Sequence, residues 1–141
     1  MKMTEKQLRI FAWAFLTPIL LLPMLPGFAA QLPQKFILAV HQVETGGRLG
    51  ALAGDNGRSL GPLQISRKYW EDSGVAGKYH NVTNFAYAVK VMTGYMRKHA
   101  ASALASGDLE KLARVHNGGP KAHRKDSTLG YWRRVQAAMK G

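Results

Sequence analysis

Cysteine is absent from this chain of 141 residues. Neither a disulfide framework nor a thiolate metal site can form. The fold must be held by its core alone, which is feasible at this size. Acids are scarce as well: 8 Asp and Glu stand against 20 Lys and Arg, for a formal net charge of +12. A field of that size favours polyanionic partners and fast encounter with them. Nucleic acid, anionic membrane and bacterial cell wall all qualify, and so does a charge that only keeps the protein in solution. Internal repeats and low-complexity segments are missing too, and the length suits one small domain. The hydrophobic fraction, 46%, is ordinary for a globular protein.

The one long apolar run lies in the first thirty residues. Lys2, Lys6 and Arg9 precede it, and Pro18, Pro23 and Pro26 interrupt it. A basic start, an apolar middle and small residues at Gly27 and Ala29 describe a secretory signal peptide cut after Ala29. A run of this length could also be kept as a membrane anchor, although three prolines disfavour a regular spanning helix. Residues 1–29 are therefore expected to be a signal peptide or signal anchor, and residues 30–141 the functional domain. Any membrane association would run only through an uncleaved leader.

Along that domain, Phe36, Ile37, Val40 and Val43 fall at helical spacing and predict a helix over 36–43. Gly46-Gly47 stops it, because glycine tolerates the left-handed conformation that ends helices. Leu49 to Ile65 is glycine-rich and contains Asn56-Gly57, a strong hairpin-turn signal. Ser66 is placed to cap a short helix over 67–72 that ends near Gly74. Asn84 opens a longer helix through about Ser102, with Phe85, Val89, Met92 and Met96 as its apolar stripe. Another helix runs from about Asp108 to His116. Ser127 or Thr128 would cap the last helix, whose inner face is Leu129, Trp132, Val135 and Met139. Several short helices and one small β-hairpin make an α+β arrangement.

Two of the acids stand out. Stepping back one helical turn at a time from Glu44 gives Val40 and Phe36, so Glu44 continues the stripe that its helix buries. It also stands at the helix C-terminus, where the dipole disfavours negative charge. Burial and dipole both favour a neutral carboxyl, which is what a general acid needs; the competing orientation points Glu44 sideways to solvent. Asp55, between Gly54 and Asn56-Gly57, is expected to be wet and ionised. Aspartate beside Asn-Gly is also an ordinary turn residue. Two carboxylates in opposed surroundings are nevertheless the arrangement that glycoside cleavage uses. Asp108 and Glu110 open a helix, where negative charge is favourable without any function.

The pieces Val43-Glu-Thr-Gly46, Gly61-Pro-Leu-Gln-Ile65, Tyr69-Trp-Glu-Asp-Ser-Gly74, Tyr95-Met-Arg-Lys98, Ala113-Arg-Val-His-Asn-Gly-Gly-Pro120 and Thr128-Leu-Gly-Tyr-Trp132 occur in the same order in the invertebrate-type lysozymes, also called the destabilase family. The chain resembles that family over about residues 36–135, nearly all of the expected mature part. Animal members are cysteine-rich, so the likeness is to a cysteine-free bacterial or phage-like branch. The resemblance implies a lysozyme-like fold and hydrolysis of the β-1,4 bond between N-acetylmuramic acid and N-acetylglucosamine in peptidoglycan, with no cofactor and no metal. By motif, Glu44 takes the place of the acid and Asp55 that of the second carboxylate. Gln64, Tyr69, His116, Asn117 and Tyr131 would lie near the sugar-binding cleft. His116 reads equally well as a structural histidine at a helix end.

Three functions stay open at this point. A muramidase leads. A lytic transglycosylase cleaves the same bond with a single acid/base, so Glu44 alone would serve it. A cationic wall-binding or nucleic-acid-binding protein with a dead site ranks third, because the basic residues are scattered and form no recognisable nucleic-acid module. A monomer is expected, with peptidoglycan as its partner and no role for nucleic acid.

Overall fold

The computed structural model describes residues 30–141, and the leader expected over 1–29 lies outside them. Helix α1 spans Gln34–Thr45, longer at both ends than its apolar spacing predicts. Its buried stripe is Phe36, Ala39 and Val40. Gly46 ends it at φ 63°, with its N–H on the Gln42 carbonyl, and the Gly47 N–H on that of His41. This is the left-handed closure that the Gly-Gly pair announces.

Three two-residue strands follow: β1 Ala53–Gly54, β2 Ser59–Leu60 and β3 Ile65–Ser66. They form one antiparallel sheet in the order β1-β2-β3, with Gly54 opposite Ser59 and Leu60 opposite Ile65. The expected hairpin is thus present with a third strand added. Its loop is not a two-residue Asn-Gly turn, however. Asp55, Asn56 and Gly57 all take positive φ (49°, 57° and 82°), and a single 3-10 turn, Asp55–Gly57, fills the loop.

Helix α2, Arg67–Ser73, is capped by Ser66, whose hydroxyl accepts the Tyr69 N–H, and ends at Gly74. Helix α3, Phe85–His99, is capped by Asn84. The expected single helix through Ser102 is broken: Ala100 sits at φ −145°, ψ 36°, and α4 restarts at Ala101–Ser106. Ala100, Ala103 and Leu104 are all buried, and the kink lets α4 turn back over the core. Helix α5, Leu109–Gly118, is capped by Asp108, whose carboxylate accepts the Lys111 N–H. That places Asp108 in the structural role its position suggests.

Helix α6 spans Leu129–Ala138, and here the expected cap fails. The Thr128 hydroxyl reaches the Ala122 and Lys125 carbonyls and accepts from the buried Arg114 Nε. Arg114 also bonds Glu110 and the Lys125 carbonyl. The guanidinium therefore braces the loop before α6 from beneath. The inner face of α6 is also turned from expectation: Tyr131 and Val135 are buried, while Leu129, Trp132 and Met139 are only partly so.

Phe36, Val40, Leu63, Ile65, Met92, Met96, Leu112 and Val135 form one continuous core. Helix α3 packs on α2, α4 and α5, and α1 packs on α6. The last contact sets the end of α1 against the start of α6. Among the described residues no helix is long and apolar enough to cross a membrane.

Candidate active site

Glu44 lies in the last turn of α1. The turn beyond it is tied down three times: His41 Nε2–H donates to the Arg48 carbonyl at 2.8 Å, Arg48 Nε to the Thr45 carbonyl at 2.9 Å, and the buried Thr45 hydroxyl lies 3.1 Å from the Pro62 carbonyl. These bonds join the end of α1 to the sheet and fix where Glu44 stands. Its side chain is 18% exposed, so the orientation the sequence left open falls on the buried side.

Two other helices reach it. Tyr131, from α6, donates its phenol to Glu44 Oε1 at 2.6 Å. His116, from the end of α5, places Nε2 at 3.5 Å from the same oxygen. The other ring nitrogen, Nδ1, is 3.0 Å from the Tyr69 hydroxyl of α2. Tyr69 in turn stacks on Tyr95 of α3, with ring centroids 3.6 Å apart and planes 13° from parallel. Four helices beyond α1 thus contribute to one aromatic and carboxyl cluster. Burial, then the Tyr95 phenol, then the Glu44 charge push the Tyr69 phenol well above its ordinary value. Burial, then the Glu44 charge and the hydrogen bond to it, do the same for Tyr131; the Arg134 guanidinium opposes weakly. Both phenols keep their protons through the physiological range.

Asp55 is exposed on the β1–β2 loop, as expected. One carboxylate oxygen accepts the hydroxyl of the buried Ser59 at 2.8 Å, and Arg58 Nε donates to its backbone carbonyl. The carboxylate is oriented but still wet. Gln64 has an internal use: both protons of its amide are taken, by the Leu52 carbonyl at 3.0 Å and the Gly61 carbonyl at 2.9 Å. Its Oε1 fills the space over Gly54 that a Cβ would need. Gln64 therefore closes the hairpin that carries Asp55. Asn117 is exposed and lines an open cavity of about 430 Å³ with Ser66, Lys68, Tyr69, Asp72, Tyr95 and His116.

Tyr131 is hydrogen-bonded to Glu44 and Tyr69 to His116, the His116 ring lies 3.5 Å from Glu44, and Asn117 stands beside them. Asp55 and Gln64 stand on the neighbouring sheet. Sequence reading missed that Tyr131 grips Glu44, that Ser59 orients Asp55, and that Tyr95 backs the cluster. The 87 residues between Tyr131 and Glu44 leave no local periodicity to reveal the pair.

Helices packed around a short three-stranded antiparallel sheet, with a half-buried glutamate ending one helix and an aspartate on the adjoining hairpin, define a lysozyme-like α+β protein. The solved structure of Tapes japonica lysozyme matches this frame with a TM-score of 0.65 and 33% identity, over 77% of this chain and 93% of that one. An invertebrate-type lysozyme from Ruditapes philippinarum is 32% identical over 115 residues, 79% of this chain and 82% of its own length. Lysozyme 1 of Crassostrea virginica is 37% identical over 107 residues. That alignment takes in 74% of this chain but 58% of the relative, so the chain spans well under two thirds of that protein. No family model matches. The chain belongs to the invertebrate-type lysozyme family.

Proposed function

We propose that this protein is a peptidoglycan hydrolase, a muramidase that cleaves the β-1,4 bond between N-acetylmuramic acid and N-acetylglucosamine. The observation that carries the reading is the half-buried Glu44 carboxyl, with Oε1 hydrogen-bonded by Tyr131 and His116 Nε2 3.5 Å away. A carboxyl so held can give a proton to the leaving glycosidic oxygen as the C–O bond breaks. Asp55, wet and oriented by Ser59, would meet the positive charge that develops on the sugar, either as nucleophile or as base for water. Peptidoglycan is the partner, and its anionic groups suit the charge of this chain. Export through the leader 1–29 places the enzyme where that substrate is; N-terminal sequencing of exported protein that still began at Met1 would favour the anchor instead.

A transglycosylase reading has one observation in its favour: Glu44 is met by side chains from two other helices while Asp55 sits on an exposed turn. The test compares parent and Glu44→Gln in clearing of a peptidoglycan suspension, with mass analysis of the products. The muramidase gives reducing ends, and Glu44→Gln leaves under about a tenth of parental turnover, a change worth at least ~1.4 kcal/mol. Anhydro ends would establish the transglycosylase. Undiminished lysis by Glu44→Gln would leave only the cationic binder.

A further inference from the structure

Tyr69, His116 and Tyr131 read from the sequence as sugar contacts, yet all three are buried and occupied with one another or with Glu44. We propose instead that they are positioning residues: the Tyr131 hydroxyl donates to Glu44 Oε1, His116 Nε2–H faces the same oxygen, and together they reserve the acid proton for Oε2, while Tyr69 sets the histidine tautomer that makes this possible. The inference rests on Glu44 being the acid of the proposed reaction.

Tyr131 has one hydroxyl proton, and at 2.6 Å its acceptor is Glu44 Oε1. Tyr69 also has one, and the acceptor within reach is His116 Nδ1 at 3.0 Å. A ring nitrogen that accepts carries no proton. The neutral imidazole then bears its N–H on Nε2, which faces Glu44 Oε1 at 3.5 Å. Burial keeps both phenols protonated, so neither donor is lost by ionisation near neutrality. With the Tyr131 hydroxyl donating to Oε1 and the His116 N–H facing it at 3.5 Å, a proton on that oxygen would meet both. The proton is therefore carried on Oε2, for which no partner is formed among the described residues. The groups facing the Glu44 carboxyl are Tyr131 from α6, His116 from α5 and, one step behind, Tyr69 from α2; Arg134 lies over the outer face of the Tyr131 ring at 5.6 Å. None of them is a carboxylate that could compete for the donors.

Once Glu44 has released its proton to the leaving oxygen, the same two donors face a full carboxylate. Charge-assisted bonds are about twice as strong as neutral ones, so the grip tightens as the reaction proceeds. This is preorganised stabilisation of charge that develops in the reaction. It requires the sugar to touch Glu44 but none of the three residues behind it, and it predicts effects on turnover rather than on binding.

The experiment measures kcat and KM of Tyr131→Phe, Tyr69→Phe, His116→Gln and His116→Ala on a defined muropeptide oligomer. It also records the ring 15N resonances of His116 in the parent. Expected are an Nε2–H tautomer, kcat reduced on the order of tenfold or more in Tyr131→Phe, and KM within about twofold of parent, which RT puts near 0.4 kcal/mol. His116→Gln, whose amide can offer N–H toward Glu44, should retain more kcat than His116→Ala. A raised KM with kcat preserved would restore the sugar-contact reading and overturn the inference. So would an Nδ1–H tautomer in the parent, a result independent of activity and of whether any variant folds. Full activity in Glu44→Gln would instead defeat the underlying assignment of the acid.

Discussion

Asp55 and Glu44 show how differently two residues of one chemical type can be legible. Three facts in the sequence converge on Glu44: its register with Phe36 and Val40, its place before Gly46-Gly47, and the scarcity of acids. The structure places it as that register requires. Asp55 had only its neighbours to speak for it, and a turn aspartate has the same neighbours. The structure adds Ser59, a buried hydroxyl across the hairpin that donates to the carboxylate. Asp55→Asn keeps the turn geometry and removes the charge, so activity is expected to fall with stability nearly unchanged; full activity would make Asp55 a turn residue only. The buried phenols give a second prediction. Tyr69 is held well above its ordinary value of 10.0, so between that value and the raised one the unfolded chain binds fewer protons than the native. Stability then falls as pH rises through that window and is fully present below it. Denaturation of parent and Tyr69→Phe across pH 8 to 11 should show a shallower alkaline decline in the variant. Parallel curves would mean that the buried phenol gains solvent on ionising.

At the scale of elements, caps were more readable than faces. Ser66, Asn84 and Asp108 each announce a helix start and each accepts the expected backbone N–H, because a cap is a local bond between residues three apart. The start of α6 escaped that logic. Arg114, fourteen residues upstream, takes the Thr128 oxygen, and a buried arginine inside an apolar helix face gives no local sign of its partner. The same limit hid the rotation of α6 that buries Tyr131. Gly61 illustrates an element joint that is fixed sterically. It has φ 83°, and a Cβ there would overlap the Val82 carbonyl oxygen, a backbone atom that cannot step aside. Gly61→Ala is expected to cost more than the ~1 kcal/mol of left-handed strain alone, and to weaken activity by displacing the strands that carry Asp55. Chemical denaturation reads the first effect. A loss under about 0.5 kcal/mol, the usual range of a neutral surface change, would show that the 82–83 backbone yields.

For the whole molecule, the proposed function makes charge the means by which the wall would be reached. Without Lys2, Lys6, Arg9 and Glu5 of the leader, the formal net charge falls only from +12 to +10. Among the described residues the carboxylate ion pairs involve Lys68, Arg114, His99 and His116, so nearly all the lysines and arginines present their charge to solvent. Peptidoglycan carries stem-peptide carboxylates, and the attraction between such a wall and this surface acts over the screening length, about 8 Å at physiological ionic strength and about 3 Å at 1 M. The proton transfer proposed for Glu44 would act at contact distance within a partly desolvated cluster, where screening is far weaker. Rising salt should therefore slow capture of the wall and leave bond cleavage almost untouched. Lysis of whole peptidoglycan is expected to fall steeply between low and high salt at fixed pH, while turnover of a short neutral chito-oligosaccharide stays nearly level. Neutralising exposed basic residues away from Glu44, such as Lys35 at the opposite end of α1 and Lys140 just past the end of α6, should flatten the first curve and leave the second in place. Equal losses on both substrates would show that the positive surface is only solvated and has no part in finding the wall.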